Sequence, residues 1–272
     1  MRLNEATIIL RGGGDLASGV ALRCFRSGFR TLITEIQQPL AVRRTVAFAE
    51  AIYTGSVQVE EVTGRRVETP KNILAAWYAR EIPVLCDPDC AIRNQISPSI
   101  LVDARMTKLP PDLGKEAADL VIGLGPGFIA GVNCHAVIET NRGHFLGRVI
   151  WDGPAQADTG TPEGVAKYQA ERVLRAPGDG ILLAHAEIGA ILEAGEPVAQ
   201  VDGQGIVAPF RGLLRGLIHS GIPVRAGMKI GDLDPRCDPR YTRFVSEKSL
   251  AIAGGVLEAI LSQPELRRLF LG

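Results

Sequence analysis

The chain has no surplus of charge. Lys and Arg number 30 and Asp and Glu number 30 across 272 residues, with no basic run. Polyanions and anionic bilayer surfaces are held by clustered Lys and Arg, so neither nucleic acid nor a membrane is expected as the main partner. No apolar stretch approaches the roughly 18 residues of a membrane span. The opening "MRLNEATIIL" has an acidic residue and too short an apolar run for a secretory leader, so the expectation is a cytoplasmic protein. Cysteine is sparse, odd in number and scattered, at Cys24, Cys86, Cys90, Cys134 and Cys237, which does not read as a disulfide framework. Cys86 and Cys90, in "LCDPDCA", would make half a zinc site. No Cys/His pair completes it, which favours a strand end followed by a Pro turn, and no metal is expected. An H-E-x-x-H motif is missing, Ser18 is not in a G-x-S-x-G elbow, and no Ser-His-Asp order is apparent.

What is present is ordinary globular material, 46% hydrophobic and 22% charged. The first third alternates strand and helix signals. Strands are expected at Ala6 to Leu10, "RTLITE", "VQVEEV", "IPVLCD", "ILVDAR" and "ADLVIGLG". Helices are expected over Leu16 to Phe25, over "LAVRRTVAFAEAIY", and from Thr69 (N-cap) and Pro70 onward. This alternation predicts a Rossmann-like, mostly parallel sheet with helices on both faces. "HAVIET-NRG-HFLGRVIW" adds a β-hairpin turning at Gly143, and "TPEGVAKYQAERVLR" starts a further helix at Thr161 and Pro162.

After Arg175 the texture becomes all-β and repeats. "APGDGI" from Ala176 matches "APFRGL" from Ala208, an offset of 32, and "GEPV" from Gly195 matches "GIPV" from Gly221, an offset of 26. The mismatch reads as a six-residue insertion in the first copy. The doubled pattern resembles barrel-sandwich (biotinyl/lipoyl-like) domains, but the hairpin near "VDGQGIV" has no lysine, so no lipoyl or biotin is expected. The expected organisation is an α/β domain over 1–175, a barrel-sandwich module over 176–236, and a C-terminal helical segment over 237–272 packing back on the α/β domain. The last helix is expected at Glu247 to Ser262, stopped before Pro264.

The strongest local signal is "LRGGGDLA", which contains Gly12-x-Gly14-x-x-Ala17 between a strand and a helix. In this fingerprint one glycine makes the turn, one admits a pyrophosphate, and a small residue packs helix on sheet. The helix start supplies N–H groups and a positive dipole end. Candidate binding residues are Gly12, Gly13, Gly14, Asp15, Leu16, Ala17 and Glu35, the last placed to accept from a ribose diol. Asp15 is awkward there unless it caps the helix or faces away. "IGLGPGFIAG" gives a second loop, with Gly125, Pro126 and Gly127, expected to border the same crevice. Arg43, Asp103 and Arg105 are further candidate cofactor-binding residues around this crevice, with Arg44, Lys108, Asn133 and Arg142 as polar neighbours, and the arginines suit bidentate binding of phosphate or carboxylate. His135, Glu139 and His144 are the acid–base candidates.

Several stretches coincide with one family. "RGGGDLASGVALR", "TEIQQPLAVRRTVAFAEAI", "VDARMTK", "GLGPGFIAGVNCHAVIET", "TGTPE" and "KIGDLDPR" together resemble the YqeB-type family, the selenium-dependent molybdenum hydroxylase system proteins. The amino-terminal part also resembles the Rossmann domain of XdhC-type maturation proteins, which bind molybdenum cofactor. The resemblance implies an accessory protein that matures a molybdenum hydroxylase as its client and binds a molybdopterin-type dinucleotide or related nucleotide. The alternative on the same fingerprint is an NAD(P)-dependent oxidoreductase. A third reading is a scaffold whose crevice takes no ligand.

Overall fold

Thr7–Arg11 (β1) carries no polar alternation, and all five residues are buried, the mark of a strand covered on both faces. A computed structural model describes residues 6–106, 110–157 and 171–271. It divides into two units: Met1–Pro39 with Phe48–Asp158 and Val245–Gly272, and Leu40–Ala47 with Thr159–Phe244. The whole is a mixed α/β chain with one large, mainly parallel sheet, smaller antiparallel sheets and a C-terminal helix. No helix among the described residues is long and apolar enough to cross a membrane.

In the first unit β1 is joined by Arg30–Glu35 (β2), Ser56–Val59 (β3), Val62–Val67 (β4), Ile82–Cys86 (β5), Ile100–Asp103 (β6), Leu120–Leu124 (β7), Ala136–Ile138 (β8) and Val149–Ile150 (β9). Their spatial order is β9-β8-β7-β6-β1-β2-β5-β4-β3. All pairings from β4 across to β8 are parallel, and only β3 and β9, at the two edges, run antiparallel. The hairpin expected after residue 135 is β8–β9, with Ile138 opposite Val149. The chain fills one side of β1 through β5 and then crosses to β6 on the other. The β1/β6 boundary is therefore the topological switch point, where open α/β sheets bind ligands.

Asp15–Arg26 (α1) buries Ala17, Val20, Ala21, Leu22 and Cys24. Pro70–Tyr78 (α2) starts as expected, with the Thr69 hydroxyl accepting from Asn72 N–H. Glu247–Leu261 (α3) is capped by Ser246 and packs on α1. Its Gly255 lies against Gly147 of the β8–β9 connection, so closely that an added Cβ would overlap the Gly147 carbonyl. Pro264 ends that stretch and opens another helix, Pro264–Leu271 (α4).

Two expectations fail in this region. The stretch 40–53 is not one helix: it holds short 3₁₀ turns at Arg44–Val46 and Phe48–Glu50 and a helical turn at Ala51–Thr54, and it divides between the units. Its backbone donors are taken elsewhere, Phe48 N–H by Ser18 Oγ and Ala49 N–H by Gly13 O, both at 2.8 Å. "VQVEEV" is a hairpin instead of one strand. Val59 pairs with Val62, and Glu60 turns the chain at φ 53° while its carboxylate meets Arg26.

In the second unit the strands are Val173–Arg175 (β10), Gly180–Ala184 (β11), Ile191–Leu192 (β12), Pro197–Val201 (β13), Gln204–Val207 (β14), Gly212–Leu217 (β15), Pro223–Val224 (β16) and Lys229–Asp234 (β17). They form two four-stranded antiparallel sheets, β10-β17-β15-β12 and β14-β13-β11-β16. The helix expected from Thr161 lies outside the described residues up to 170, and its end, Val173–Arg175, is a strand paired with β17.

The repeat is present, but its register corrects the sequence reading. The period is 32 throughout, with no insertion: Gly189 corresponds to Gly221, Gly195 to Gly227, and Asp202 to Asp234. The hydrogen bonds show it, because each is matched by its exchanged twin. Gly189 N–H donates to Leu214 O and Gly221 N–H to Leu182 O, at 2.8 and 2.7 Å. Gly195 N–H donates to Ala208 O and Gly227 N–H to Ala176 O, at 2.8 and 2.9 Å. "GEPV" therefore answers to "GMKI", and the likeness to "GIPV" is a coincidence of Gly-x-Pro-Val chemistry. Each sheet takes its two inner strands from one copy and its two outer strands from the other.

Candidate functional site at the carboxyl edge of the central strands

The three glycines after β1 are small for different reasons. Gly12 has φ 94°, and a Cβ there would lie 3.3 Å from the Arg105 backbone. Gly13 donates its N–H to Glu35 Oε2 at 2.7 Å and accepts from Ala49 N–H at 2.8 Å and Ser18 Oγ at 3.2 Å. A Cβ on Gly13 would sit 2.9 Å from Ala49 N. The protein's own backbone thus accounts for two of the three. Gly14 is different: nothing lies within 4 Å of an added Cβ, and its φ of −68° and ψ of −175° suit any residue. It is the N-cap of α1 and has no side chain to cap with. The helical ladder begins with Ser18 N–H on Gly14 O, so Leu16 and Ala17 N–H have no intrahelical acceptor. Asp15 does not face the turn's opening with both oxygens, because Oδ1 accepts from Ser249 Oγ at 3.1 Å.

Ser18 is fully buried and ties this turn to the 3₁₀ turn at Phe48–Glu50, donating to Gly13 O and accepting from Phe48 N–H. Ser18→Ala leaves a buried N–H without its acceptor. It should cost about 1–3 kcal/mol, measured as a shift in urea midpoint with unchanged slope.

Glu35 ends β2. Burial pushes its carboxyl up, and the N–H bonds from Gly13 and Ile36 offset this only in part. Each oxygen already serves one backbone donor, leaving its second lone pair for a ligand hydroxyl.

At the neighbouring strand ends lies a cluster that the sequence reading half missed. Arg11 is 1% exposed and closes an otherwise apolar strand, a signal that was legible in "TIILR". Its Nη1 and Nη2 donate to Asp112 Oδ1 and Oδ2 at 2.7 and 2.9 Å, and Nη2 also to Pro88 O at 2.8 Å. Asp103, buried at the end of β6, accepts Arg105 Nε at 3.0 Å and Nη2 at 2.6 Å and lies 3.6 Å from Arg11 Nη1. Arg105 Nη2 reaches Asp112 Oδ1 at 2.7 Å.

Parallel pairing aligns Arg11 with Asp103 and Asp103 with Gly123. The turn at Gly12 and the loop at Gly125, Pro126 and Gly127 therefore open on one sheet edge, with the end of β6 between them. Gly123 and Gly125 are accounted for internally, since added Cβ atoms would overlap Phe128 and Thr140 Oγ1.

Of the remaining candidates Glu139 does reach that edge, because it follows β8, which runs parallel to β7 and whose Ile138 O accepts from Gly125 N–H at 2.9 Å; Arg43 and His135 do not. Arg43 belongs to the second unit, is buried, and donates from Nη2 to Tyr241 O and Phe244 O at 3.0 and 3.2 Å. His135 precedes β8, so it sits at the opposite end of the strand from the glycine loops. Its Nδ1 accepts from Val121 N–H at 2.9 Å, and burial, with Lys115 nearby, lowers its pKa. Glu139 is 1% exposed and accepts from Asn141 N–H at 2.7 Å and Gln156 N–H at 2.8 Å. The three residues of β8 lie between it and His135, a span of roughly 13 Å, so the two form no acid–base pair. His144 is exposed and meets the Phe145 ring edge-on, and Arg142 pairs with Glu247. Lys108 lies outside the described residues.

In the "LCDPDCA" turn, Asp87 accepts from Ala91 and Ile92 N–H at 3.0 and 2.8 Å. Cys90 is buried, and burial pushes its thiol up despite a hydrogen bond with Thr34. Among the described residues no group of three His, Cys, Asp or Glu side chains could hold a metal ion.

No protein-family model matches the chain. A curated relative, the "Uncharacterized protein YqeB" of Escherichia coli strain K12, is 42% identical over 254 residues, 93% of this chain and 47% of the relative. The chain thus spans about half the length of the curated relative it matches. Among solved structures, an aspartoacylase family protein from Mesorhizobium loti is 18% identical, covers 24% of this chain and 23% of its own, and has a TM-score of 0.22. The ectoine utilization protein EutE from Ruegeria pomeroyi is 11% identical, covers 84% and 86%, and has a TM-score of 0.24. Likenesses this low carry no argument. The YqeB-type resemblance read from the motifs is supported along 93% of this chain by a homologue about twice as long.

Proposed function

We propose that this chain binds the phosphate portion of a molybdopterin-type dinucleotide or related nucleotide at Gly14 and the first turn of α1, and acts as an accessory protein in maturing a selenium-dependent molybdenum hydroxylase. The observation that carries the binding part is the open space at Gly14. An added Cβ would meet no protein atom there, so the space at the start of this twelve-residue helix, beside the switch point, is open to a ligand. Helix N–H groups and the dipole favour an anion there. Glu35, tied to Gly13, is placed to accept from a ribose hydroxyl. The maturation role rests on the motif resemblance, as does the XdhC-like Rossmann reading of the first unit.

The second unit is read as a barrel-sandwich module. Its support is the pair of interlocked four-stranded sheets. The tip of its β13–β14 hairpin is Asp202-Gly203, with φ 44° and 82°, and carries no lysine for lipoyl or biotin. The nicotinamide alternative would use the same turn, but its acid–base candidates, His135 and Glu139, are engaged by backbone groups at opposite ends of β8.

Gly14→Val tests the binding site without straining the fold, since backbone angles and space both admit it. Affinity for molybdopterin cytosine dinucleotide, ADP and NAD, measured by titration, should drop at least tenfold for whichever binds the parent, with the fold retained and the melting temperature lowered only by the poorer valine N-cap. Equal affinity in both proteins, or no binding of any of these by the parent, sinks the proposal.

A further inference from the structure

We infer that Arg11 and Arg105 form a second anion site on this edge, and that the carboxylate of Asp112 fills it in the free chain until a phosphate-type oxyanion displaces it. The inference deepens the reading above by naming one group of the ligand, but it does not use the glycine turn.

Burial is unequal across the Arg11–Asp112 pair. Arg11 is 1% exposed, yet the side chain of Asp112 that neutralises it is 54% exposed. A buried guanidinium needs a paired anion, because desolvating the charge alone costs several kcal/mol. A permanent structural partner would be expected on a neighbouring strand, and one exists: Asp103, 3% exposed, in register with Arg11. But Asp103 is already gripped by Arg105 through Nε and Nη2. The second anion comes from a stretch with neither helix nor strand, "PPDLG".

The geometry at Asp112 is that of a bound ligand. Three N–H donors converge on its two oxygens: Arg11 Nη1 and Nη2 at 2.7 and 2.9 Å, and Arg105 Nη2 at 2.7 Å. A two-pronged arginine with a third cationic donor is the donor set that recognises carboxylate and phosphate oxygens. The hydrogen bond from Arg11 above all, and the one from Arg105, hold the Asp112 carboxyl far below the usual carboxylate range. Arg11 Nε is buried and finds no acceptor among the described residues, so the guanidinium is held through its Nη atoms alone, both on Asp112 and Nη2 on Pro88 O as well. The four charges sum to zero with Asp112 in place, and removing its carboxylate leaves one net positive charge facing solvent. An incoming oxyanion therefore competes with an internal one, which lowers its apparent affinity by the occupancy of the internal contact.

Inorganic phosphate is the probe. By isothermal titration at constant ionic strength, Asp112→Ala should bind phosphate at least tenfold more tightly than the parent, and Asp112→Ala with Arg105→Gln should lose most of that gain. Asp112→Asn, which keeps the shape and one acceptor, serves if the alanine variant does not fold, and it should show a gain of the same sign and a melting temperature raised by phosphate. No gain in a folded Asp112 variant, or a gain that survives Arg105→Gln, overturns the inference. Gly14→Val should leave the gain intact. Loss of nucleotide binding in Gly14→Val together with no phosphate gain at Asp112 would end this inference alone, and the reverse pattern would end the glycine-turn reading alone.

Discussion

Asp234→Ala should lower the stability of the second unit by about 3–5 kcal/mol, the range for stripping one member from a buried ion network. Asp234 is fully buried at the end of β17. It accepts from Arg236 N–H, Nε and Nη2 at 3.0, 2.9 and 2.6 Å, and from Arg215 Nη1 at 3.3 Å. Two residues earlier, on the same face of the strand, Asp232 takes Arg172 at 2.8 Å and lies 3.7 Å from Arg215. Removing Asp234 leaves Arg215, 11% exposed, short of charge where water hardly reaches it, while Arg236, 44% exposed, can turn to solvent, which places the cost at the lower end of that range. Asp234→Asn keeps one acceptor and should fall between. Hydrogen exchange of the amides in 173–234 reads the change, and a loss below about 0.5 kcal/mol would show that the network contributes little.

The same site has a pH signature. Burial alone would raise the Asp234 carboxyl, but the hydrogen bonds from Arg236 and the charges of Arg236 and Arg215 outweigh it and hold the pKa below its ordinary value of 3.8. A depressed carboxyl favours the folded state when ionised. Its contribution is complete above the unfolded value and is lost as the pH falls through the lower folded one. The stability difference between parent and Asp234→Ala should therefore be constant near neutrality and shrink below about pH 4.

Gly254 and Gly255 are adjacent in α3 and should respond with opposite signs. Gly255→Val places its branches against the Gly147 carbonyl and within reach of Ile138 Cγ2, which lies 3.0 Å from even a bare Cβ. The obstacle is mainly backbone, which cannot rotate away, so the cost should be about 3 kcal/mol, the upper part of the overpacking range. Gly254 meets nothing within 4 Å, and Gly254→Ala should stabilise by about 0.4–1 kcal/mol through the unfolded chain. Thermal melts of both variants decide the matter. A harmless Gly255→Val would mean that α3 is not held against the β8–β9 connection.

The parallel core was legible because buried strands such as "TIILR" and "ILVD" are short apolar runs bounded by turn residues, and because Thr69-Pro70 spells a helix start. The stretch 40–53 was not, since its helical spacing is real but its N–H groups are claimed by Gly13 and Ser18, partners remote in sequence. Of the site, Gly14 and Glu35 could be read from the fingerprint. Which glycines faced their own protein could not, because that depends on Ala49 and Arg105 arriving from elsewhere. Asp112 carried no signal beyond being one more acid in a Pro-rich stretch. The "D-x-R" spelling was a missed cue. At Asp103/Arg105, Asp234/Arg236 and Asp238/Arg240 the carboxylate accepts both the backbone N–H and the guanidinium two residues on.

The exchanged hydrogen bonds of the second unit decide how it comes apart. In a solenoid each repeat leans only on its neighbours, and stability accumulates repeat by repeat. Here the 32-residue copies are threaded through one another, each closing the outer strands of a sheet whose middle belongs to its twin. Neither copy owns a complete hydrophobic face, so neither can fray alone. The period is one of sequence and not of stability, and the unit should melt as a single cooperative block.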